Sequence, residues 1–374
     1  MPTKVLTAIG GLNRGGAETW LLNMVKRIDH SKFQMDVLVD SADPYAYTPE
    51  FLAAGCRILP CIGYRNPWQY YRNLKRLYAE YGPYDIIHSH VHYYSGVVLT
   101  IGRRLGIPVR IVHSHPEVDL KPPSWTRTIY RDLMFALLRR SATHLVAPSK
   151  TSLDAAIAQT GYRMPWRKIL YNGVDLGAFD RPLDQVCVRE RLGLPLDIPL
   201  VTYVARFAPH KNHRQILRVS ERLNARTKIA HFVFAGSHGA ELESVSKASA
   251  SRADLTVLLG LKDITELLAA SDVFVFPSLE EGFGIVALEA QAAGLPVIAS
   301  DLATIREACA PSQRTLMFEP GNDDAFLFQL TRVLESSALR ERVASEGRQW
   351  VKAFSIDASL ASLTEMYEAA VVGG

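Results

Sequence analysis

Cysteine and long apolar segments are both scarce in this chain, and each scarcity excludes a class of protein. Only four cysteines occur among 374 residues, and none has the spacing of a zinc site. We expect reduced thiols rather than a disulfide framework. No apolar run reaches about 18 residues, the length that a membrane-spanning helix needs, and no signal peptide is recognised. The sequence therefore predicts a cytoplasmic protein whose contact with the membrane, if any, is peripheral.

The chain also lacks a strong charge of one sign. Lysine and arginine number 42 against 38 aspartates and glutamates, which gives a net charge of +4. This excess is too small to indicate a nucleic-acid partner, but it suits an anionic substrate or a membrane surface. Hydrophobic residues make up 48% of the chain and charged residues 21%, so well-filled cores are expected. A chain of this length predicts two domains.

Apolar runs of strand length alternate with amphipathic helical patterns along the whole chain. The pattern starts with apolar runs at 4–9 and 33–39, and it restarts at 200–204 after a proline-bearing loop. It ends with a predicted strand at 315–318 and three helices. This alternation predicts two α/β, Rossmann-like doubly wound domains that face each other across a cleft. We place the first domain at 1–178 and the second at 179–354.

Two carboxylates occur in one strand–turn–helix segment, residues 278–290. Glu281 lies in its glycine-bearing turn, and Glu289 lies in the apolar helix that follows. The turn leaves backbone N–H groups free at a helix N-terminus, where an anion binds well. A glutamate in so apolar a helix is costly unless it faces a site. A nucleotide sugar, with its phosphates and hydroxyls, would satisfy both kinds of group. The alternative is a helix-start charge and a solvated helix residue.

Two further loops carry groups that suit a phosphate. Arg206 and Lys211 follow an apolar strand, where Arg can bind a pyrophosphate with two parallel bonds and Lys as a point charge. A solvated loop is the alternative. Gly15 and Gly16 precede the first helix and allow close approach of a ligand to the backbone. Because the spacing is not Gly-x-Gly-x-x-Gly and no Walker lysine follows, a plain tight turn is the alternative there.

Histidines are concentrated at two strand ends of the first domain. The group comprises His88, His90, His92, His113 and His115. His-x-His spacing can bind a metal ion, although the nearby acids are limited to Glu117 and Asp119. The histidines could instead bond a sugar hydroxyl or a phosphate. For His88 and His90, burial with satisfied hydrogen bonds is the preferred interpretation.

These stretches together resemble the family 4 retaining glycosyltransferases of the GT-B fold, over nearly the whole chain. Glu281 and Glu289 match the family's Glu-x7-Glu motif, and Arg206 and Lys211 match its Arg and Lys-Asn positions. Gly15-Gly16 and His113 match the family's glycine pair and acceptor-domain histidine. The stretch 10–19 is similar to enzymes of bacterial exopolysaccharide and capsule synthesis. The final helix, 355–374, resembles the segment that crosses back to the first domain in this fold.

The resemblance implies a retaining transfer of a hexosyl or N-acetylhexosaminyl group from a nucleotide diphosphate sugar, with a UDP-sugar favoured. The acceptor would be a glycan or lipid-linked glycan bound by the first domain, and the donor would bind the second. Neither a cofactor nor a metal ion is expected. The resemblance implies as catalytic residues His113, Arg206, Lys211 and Glu281, and as donor-binding residues Gly15, Gly16, Arg206, Lys211, Glu281, Phe283, Gly284, Ile285 and Glu289.

Within that set, the resemblance implies separate roles. Arg206 and Lys211 would hold the diphosphate and Glu289 the ribose. Glu281, with the N–H groups of Phe283, Gly284 and Ile285, would hold the donor sugar or its phosphate. His113 would bind a sugar hydroxyl near the anomeric carbon.

The sequence also departs from the family and leaves rival functions open. The family often ends the histidine strand as His-Asp, whereas this chain has Ser114 after His113, so acceptor chemistry can differ. A nucleotide-sugar epimerase of GT-B shape and a non-catalytic nucleotide-sugar-binding protein are alternatives. Basic and aromatic residues recur at 68–81 and 121–140. These stretches predict docking on anionic lipid headgroups, with ordinary solvated helices as the alternative.

Overall fold

The computed structural model describes residues 2–115, 124–161, 166–181, 183–225, 227, 229–261 and 263–373. The chain divides into two compact units. Unit 1 comprises Met1–Gly173 with Ile356–Gly374, and unit 2 comprises Val174–Ser355. Each unit is a parallel β-sheet with alternating helices, so the prediction of two Rossmann-like α/β domains is confirmed.

Unit 1 contains a 7-stranded parallel sheet. Its strands are β1 (Thr3–Ala8), β2 (Phe33–Val39), β3 (Arg57–Pro60), β4 (Ile86–Ser89), β5 (Val109–His113), β6 (His144–Ala147) and β7 (Trp166–Ile169). Their order is β3-β2-β1-β4-β5-β6-β7. The central strands are buried on both faces, which is why they are nearly continuous apolar runs in the sequence.

Six helices alternate with these strands in the described part of unit 1. They are α1 (Gly16–Arg27), α2 (Thr48–Ala53), α3 (Pro67–Tyr81), α4 (Ser95–Arg104), α5 (Trp125–Ser141) and α6 (Lys150–Thr160). Helix α1 shows why they pack on the sheet: Trp20, Leu21, Met24 and Val25 recur at helical spacing and are buried.

Unit 2 contains a 5-stranded parallel sheet in the order β10-β9-β8-β11-β12. Its strands are β8 (Leu200–Val204), β9 (His231–Gly236), β10 (Leu255–Leu259), β11 (Val273–Phe276) and β12 (Val297–Ala299). Its helices are α7 (Gln185–Leu192), α8 (His213–Leu223), α9 (Leu242–Ala250), α10 (Thr265–Ala269), α11 (Ile285–Ala292), α12 (Ala303–Ala308), α13 (Asp323–Glu335) and α14 (Ser337–Trp350). Phenylalanines of the central strands fill its core, including Phe232, Phe234, Phe274 and Phe276.

The last helix, α15 (Ile356–Val372), belongs to unit 1, although it follows unit 2 in the chain. Trp20 of α1 donates from Nε1 to the Ser359 hydroxyl at 2.9 Å. The hydroxyl of Tyr367 lies 2.8 Å from Nδ1 of His88 on β4. These buried contacts anchor the C-terminal helix on the sheet of unit 1.

One predicted strand and the two predicted domain limits differ from the structure. The predicted strand at 315–318 is wrong: Gln313–Leu316 is a 3-10 helix, and Phe318 makes an isolated bridge to Ser300. Along the chain, unit 1 changes to unit 2 between Gly173 and Val174, and unit 2 changes back to unit 1 between Ser355 and Ile356. The predicted domain limits are at 178/179 and 354/355. Within the described ranges, no helix combines the length and apolar character needed to cross a membrane.

Candidate active site

The strand order reverses between β1 and β4 in unit 1 and between β8 and β11 in unit 2. In open parallel sheets, ligands bind beyond the carboxyl ends of the strands at such a reversal. The predicted site residues follow or end strands at or beside these points: Gly15 and Gly16 after β1, His113 at the end of β5, Arg206 and Lys211 after β8, and Glu281 after β11.

Lys211 and Glu281 form an ion pair between the loops that follow β8 and β11. Their side chains are 18% and 11% exposed, so water screens the pair only in part. The Ser278 hydroxyl donates to the same carboxylate oxygen, Oε1, at 3.0 Å. An ammonium group and a carboxylate therefore lie side by side where the strand order reverses.

The loop of Lys211 is held against the sheet by partly buried hydrogen bonds. The hydroxyl of Tyr203 on β8 donates to the Lys211 carbonyl at 2.7 Å. Asn212 adopts the left-handed conformation with φ of +57°, and its Nδ2 donates to the Pro277 carbonyl at 3.2 Å. Because Pro277 directly follows β11, this bond joins the loops after the two central strands.

Arg206 is an exposed cation two residues beyond the end of β8. Its side chain makes no hydrogen bond or ion pair with any residue that the structure describes. Its guanidinium is therefore available for two parallel bonds to a phosphate oxygen pair.

The N-terminus of α11 requires a glycine. Gly284 is its N-cap residue with φ of +85°, a conformation that L side chains rarely adopt. A Cβ there would also lie 3.0 Å from the ring of Phe276 on β11. Phe283 and Ile285 flank this residue, so the predicted trio of N–H donors lies at the positive end of the helix dipole.

Glu289 is partly buried in the second turn of α11. Burial raises the pKa of its carboxyl to about 7, and the negative charge of Asp263 adds to the effect. Its side chain makes no hydrogen bond with any described residue. A carboxyl group with so high a pKa and no protein partner is typical of a functional site.

In unit 1, Gly15 and Gly16 begin α1, where Gly15 is the N-cap residue. A Cβ at Gly15 would lie 2.4 Å from a carboxylate oxygen of Glu18. The glycine thus leaves room for Glu18, whose negative charge already lies in the first turn of the helix. This arrangement makes the N-terminus of α1 a poor place for a second anion and a better one for a hydroxyl.

Four histidines of unit 1 form one cluster beyond β4 and β5. His88, His90 and His113 are buried, and His115 is partly exposed. Their ring centroids lie 4.3–5.3 Å from those of their nearest neighbours in the cluster. Glu117 and Asp119, the acids noted near this motif, lie outside the described residues.

Burial keeps the imidazoles of His88, His90 and His113 neutral. It lowers the pKa of His88 to about 3 and the pKa values of His90 and His113 well below the ordinary value, and the neighbouring histidines add to the shift. His113 packs edge-on against Trp20 with centroids 5.4 Å apart. Neither of its ring nitrogens has a hydrogen-bond partner among the described residues. Burial of His88 and His90 is as predicted, but full satisfaction of their hydrogen bonds is not, since Nε2 of each lacks a described partner.

Comparisons with known proteins decide the family. The model "Glycosyltransferase Family 4" matches residues 14–178, and "Glycosyl transferases group 1" matches residues 187–350. The chain is 34% identical over 307 residues to the glycosyltransferase EpsF of Bacillus subtilis, covering 80% of each protein. The chain belongs to the family 4 glycosyltransferases. The resemblance inferred from its motifs is thereby confirmed.

More distant relatives agree with this assignment. The glycosyltransferase is 28% identical to the D-inositol 3-phosphate glycosyltransferase of Streptosporangium roseum, covering 78% of this chain and 71% of that protein. The structure of Anabaena HepE in complex with UDP and glucose matches with a TM-score of 0.83 at 19% identity, covering 98% of this chain and 100% of HepE. At that identity the likeness establishes the fold, which is GT-B.

Several supporting residues of this glycosyltransferase were not predicted from its sequence. Ser278 bonds Glu281, Tyr203 bonds the Lys211 loop, and Trp20 packs on His113. Ser278 could have been noticed, because it lies three residues before Glu281 in the same turn. Tyr203 and Trp20 carry no such signal, since both look like ordinary core residues of a strand and a helix.

Proposed function

We propose that this glycosyltransferase moves a hexosyl or N-acetylhexosaminyl group from a UDP-sugar to a glycan or lipid-linked glycan, with retention at the anomeric carbon. The observation that carries the proposal is the Lys211–Glu281 pair, between the loops of two central strands of unit 2. Arg206 lies in one of these loops, and the other leads into α11. In the proposal unit 2 binds the donor and unit 1 the acceptor.

In this proposal Arg206, Lys211 and the N-terminus of α11 bind the diphosphate. As the bond between the anomeric carbon and the phosphate oxygen breaks, negative charge accumulates on the leaving nucleotide. Fixed cations and backbone N–H groups stabilise such charge without a metal ion, because they are already oriented. Glu281 does not repel the phosphate strongly, since its charge is balanced by Lys211, and its oxygens remain acceptors for sugar hydroxyls.

Glu289 would bind the ribose hydroxyls of the nucleotide. Hydroxyl donors favour the ionised carboxylate, so bound donor substrate should lower the raised pKa of Glu289. The base preference has separate support: the solved complexes of HepE contain UDP and UDP-glucose.

The proposed chemistry is a front-face displacement. The acceptor hydroxyl oxygen forms a bond to the anomeric carbon on the face from which the diphosphate departs. The bond from that carbon to the diphosphate oxygen breaks, and the acceptor proton passes to the departing phosphate. His113, buried, neutral and without a described partner, would hold a donor-sugar hydroxyl and orient the ring.

Membrane contact through α5 extends the proposal to a lipid-linked acceptor. Trp125, Ile129 and Leu133 are 76%, 57% and 54% exposed and lie four residues apart, so they form one apolar stripe. Exposed Arg140, seven residues after Leu133, lies on the same face of the helix. An apolar stripe with flanking cations suits the interface of an anionic bilayer. Residues 121–123 of the predicted basic stretch lie outside the described residues.

The first experiment is a thermal-shift panel of UDP-, GDP- and ADP-sugars with the purified protein. We expect UDP-sugars to raise the melting temperature most, because ligands that bind only the folded state stabilise it. The nucleotide sugar that stabilises the protein most is then labelled in its sugar. It is incubated with the protein and with lipid-linked glycans extracted from exopolysaccharide-producing bacteria. Transfer with retained anomeric configuration, in the presence of a chelator, supports the proposal. Epimer formation alone, or binding with neither transfer nor hydrolysis, would contradict it.

A further inference from the structure

The histidine cluster of unit 1 has the donor set of a metal site. His88 lies on β4, His90 follows that strand, and His113 ends the neighbouring strand β5. One ring nitrogen from each lies within 4.8 Å of those of the other two, and all three residues are buried. Strand pairing sets this spacing, because His88 pairs with Ile111 in the parallel register, two residues before His113.

The hydrogen bonds of His88 and His90 occupy one nitrogen of each ring and leave the other without a described partner. Nδ1 of His88 lies 2.8 Å from the Tyr367 hydroxyl, and Nδ1 of His90 lies 3.0 Å from Nε2 of His115. The Nε2 atoms of His88 and His90 have no partner among the described residues. Metal-bound histidines show this same division, with one nitrogen on the metal and the other held by a neighbouring polar group.

His113 is the third histidine of the cluster. It is fully buried, and both of its ring nitrogens lack a partner within the described ranges. Leaving a buried polar group without a hydrogen bond is unfavourable, so native proteins rarely keep several such groups together. Four unpartnered nitrogens on three adjacent rings therefore point to a ligand.

We propose that His88, His90 and His113 form a three-imidazole site for a divalent transition-metal ion, with Zn²⁺ as the best-matched ion. Zn–N bonds of about 2.0–2.1 Å in a tetrahedron place the nitrogens about 3.3 Å apart. The three nitrogens, which lie within 4.8 Å of one another, would move closer together around a bound ion. Three imidazoles leave a fourth position for water, hydroxide or another anion. A set of nitrogens alone does not suit Mg²⁺ or Ca²⁺, which prefer oxygen ligands.

The binding test uses the full chain with Cys187→Ser, because Cys187 is the exposed one of the four free cysteines and thiols also bind zinc. After treatment with a chelator and removal of any affinity tag, the protein is titrated with Zn²⁺ and with Co²⁺. We expect one ion per chain and Co²⁺ d–d bands without a sulfur charge-transfer band. His88→Asn and His90→Asn should each weaken Zn²⁺ binding by about 100-fold or more.

The matched control is His144→Asn, which removes a buried histidine from the next strand, β6, outside the three-imidazole set. It should bind Zn²⁺ as the parent does. If either cluster variant fails to fold, the Co²⁺ spectrum of the parent still decides. No bound ion, a sulfur band, or parent-like affinity in His88→Asn and His90→Asn would each overturn the proposal.

The consequence for catalysis rests on the proposed function. An ion bound to His113 would compete with the donor-sugar hydroxyl that is assigned to this residue. Zn²⁺ should therefore raise the KM for the donor with little change in kcat, and His90→Asn should abolish this sensitivity. Stoichiometric Zn²⁺ binding without any change in KM would contradict the role of His113 in donor binding, while the spectroscopic result would still establish the metal site.

Discussion

Lys211 and Glu281 are 70 residues apart in the chain, yet their side chains form an ion pair at the carboxyl ends of β8 and β11. Both residues are mostly buried, and Ser278 donates a further bond to the carboxylate. Removing either partner leaves the other charge desolvated and uncompensated. We therefore expect the pair to affect both the stability of unit 2 and the proposed transfer reaction.

We expect Lys211→Met to reduce transfer by about 100-fold or more, because an oriented charge at the leaving group is lost. It should also lower the free energy of unfolding by about 1–3 kcal/mol, since Glu281 loses its counter-charge. Initial-rate assays and urea unfolding measure the two effects. Lys247→Met is the control: Lys247 pairs with Glu243 on the surface of α9, with side chains 76% and 81% exposed. Similar losses in both variants would argue against a special role for Lys211.

The pairing of Lys211 with Glu281 shows where prediction from sequence ends. Each residue could be placed after a strand, because the apolar runs and glycine turns have clear periods. Their contact could not be predicted from the residues alone, since it depends on β8 and β11 being neighbours in a sheet whose order is not the chain order. Family resemblance supplied the grouping that periodicity could not.

The error at 315–318 has a similar cause. Leu316 and Phe318 are both buried and two residues apart, which is the spacing of a strand face. Local bonds decide otherwise: Thr315 donates from both its backbone N–H and its hydroxyl to the Ser312 carbonyl. An apolar period does not reveal whether a neighbouring strand is available for pairing.

Glu289→Gln should change how stability depends on pH. The folded pKa of about 7 lies above the ordinary 4.5, so the folded protein holds a proton that the unfolded chain has lost. Wild-type stability therefore falls as pH rises through this window, by up to about 3 kcal/mol. The variant lacks this loss and should be the more stable protein above about pH 7. Urea unfolding between about pH 5 and pH 8 measures it.

The matched control for Glu289→Gln is Glu346→Gln, which alters an exposed glutamate of α14. It should leave the pH dependence of unfolding unchanged. Donor affinity should instead increase as pH rises, since ribose hydroxyls prefer the carboxylate. Wild-type KM for the donor should rise at pH below about 7, and that rise should be absent in Glu289→Gln. A pH profile identical in wild type and variant would remove the assigned role.

Gly284→Ala tests the N-terminus of α11. The new methyl group meets both a left-handed φ of +85° and the Phe276 ring at 3.0 Å. We expect a loss of about 2 kcal/mol or more in unfolding free energy and weaker UDP binding, because the first turn must shift. Gly193→Ala is the control, since Gly193 has φ of +66° and no atom within 4 Å of its Cβ position. It should lose about 1 kcal/mol and bind UDP normally. Equal UDP affinity in both variants would mean that the N-terminus of α11 does not bind the donor.

Substitutions on α5 test membrane contact. Trp125→Ser, Ile129→Ser and Leu133→Ser together remove the exposed apolar stripe without touching the buried face of Met134, Phe135 and Leu138. We expect co-sedimentation with anionic vesicles to fall at least about 10-fold, because apolar burial at the interface is lost. Phe328→Ser, an exposed residue of α13 in unit 2, should bind vesicles as the wild type does. No binding by the wild type, or equal binding by the triple variant, would mean that α5 is an ordinary solvated helix.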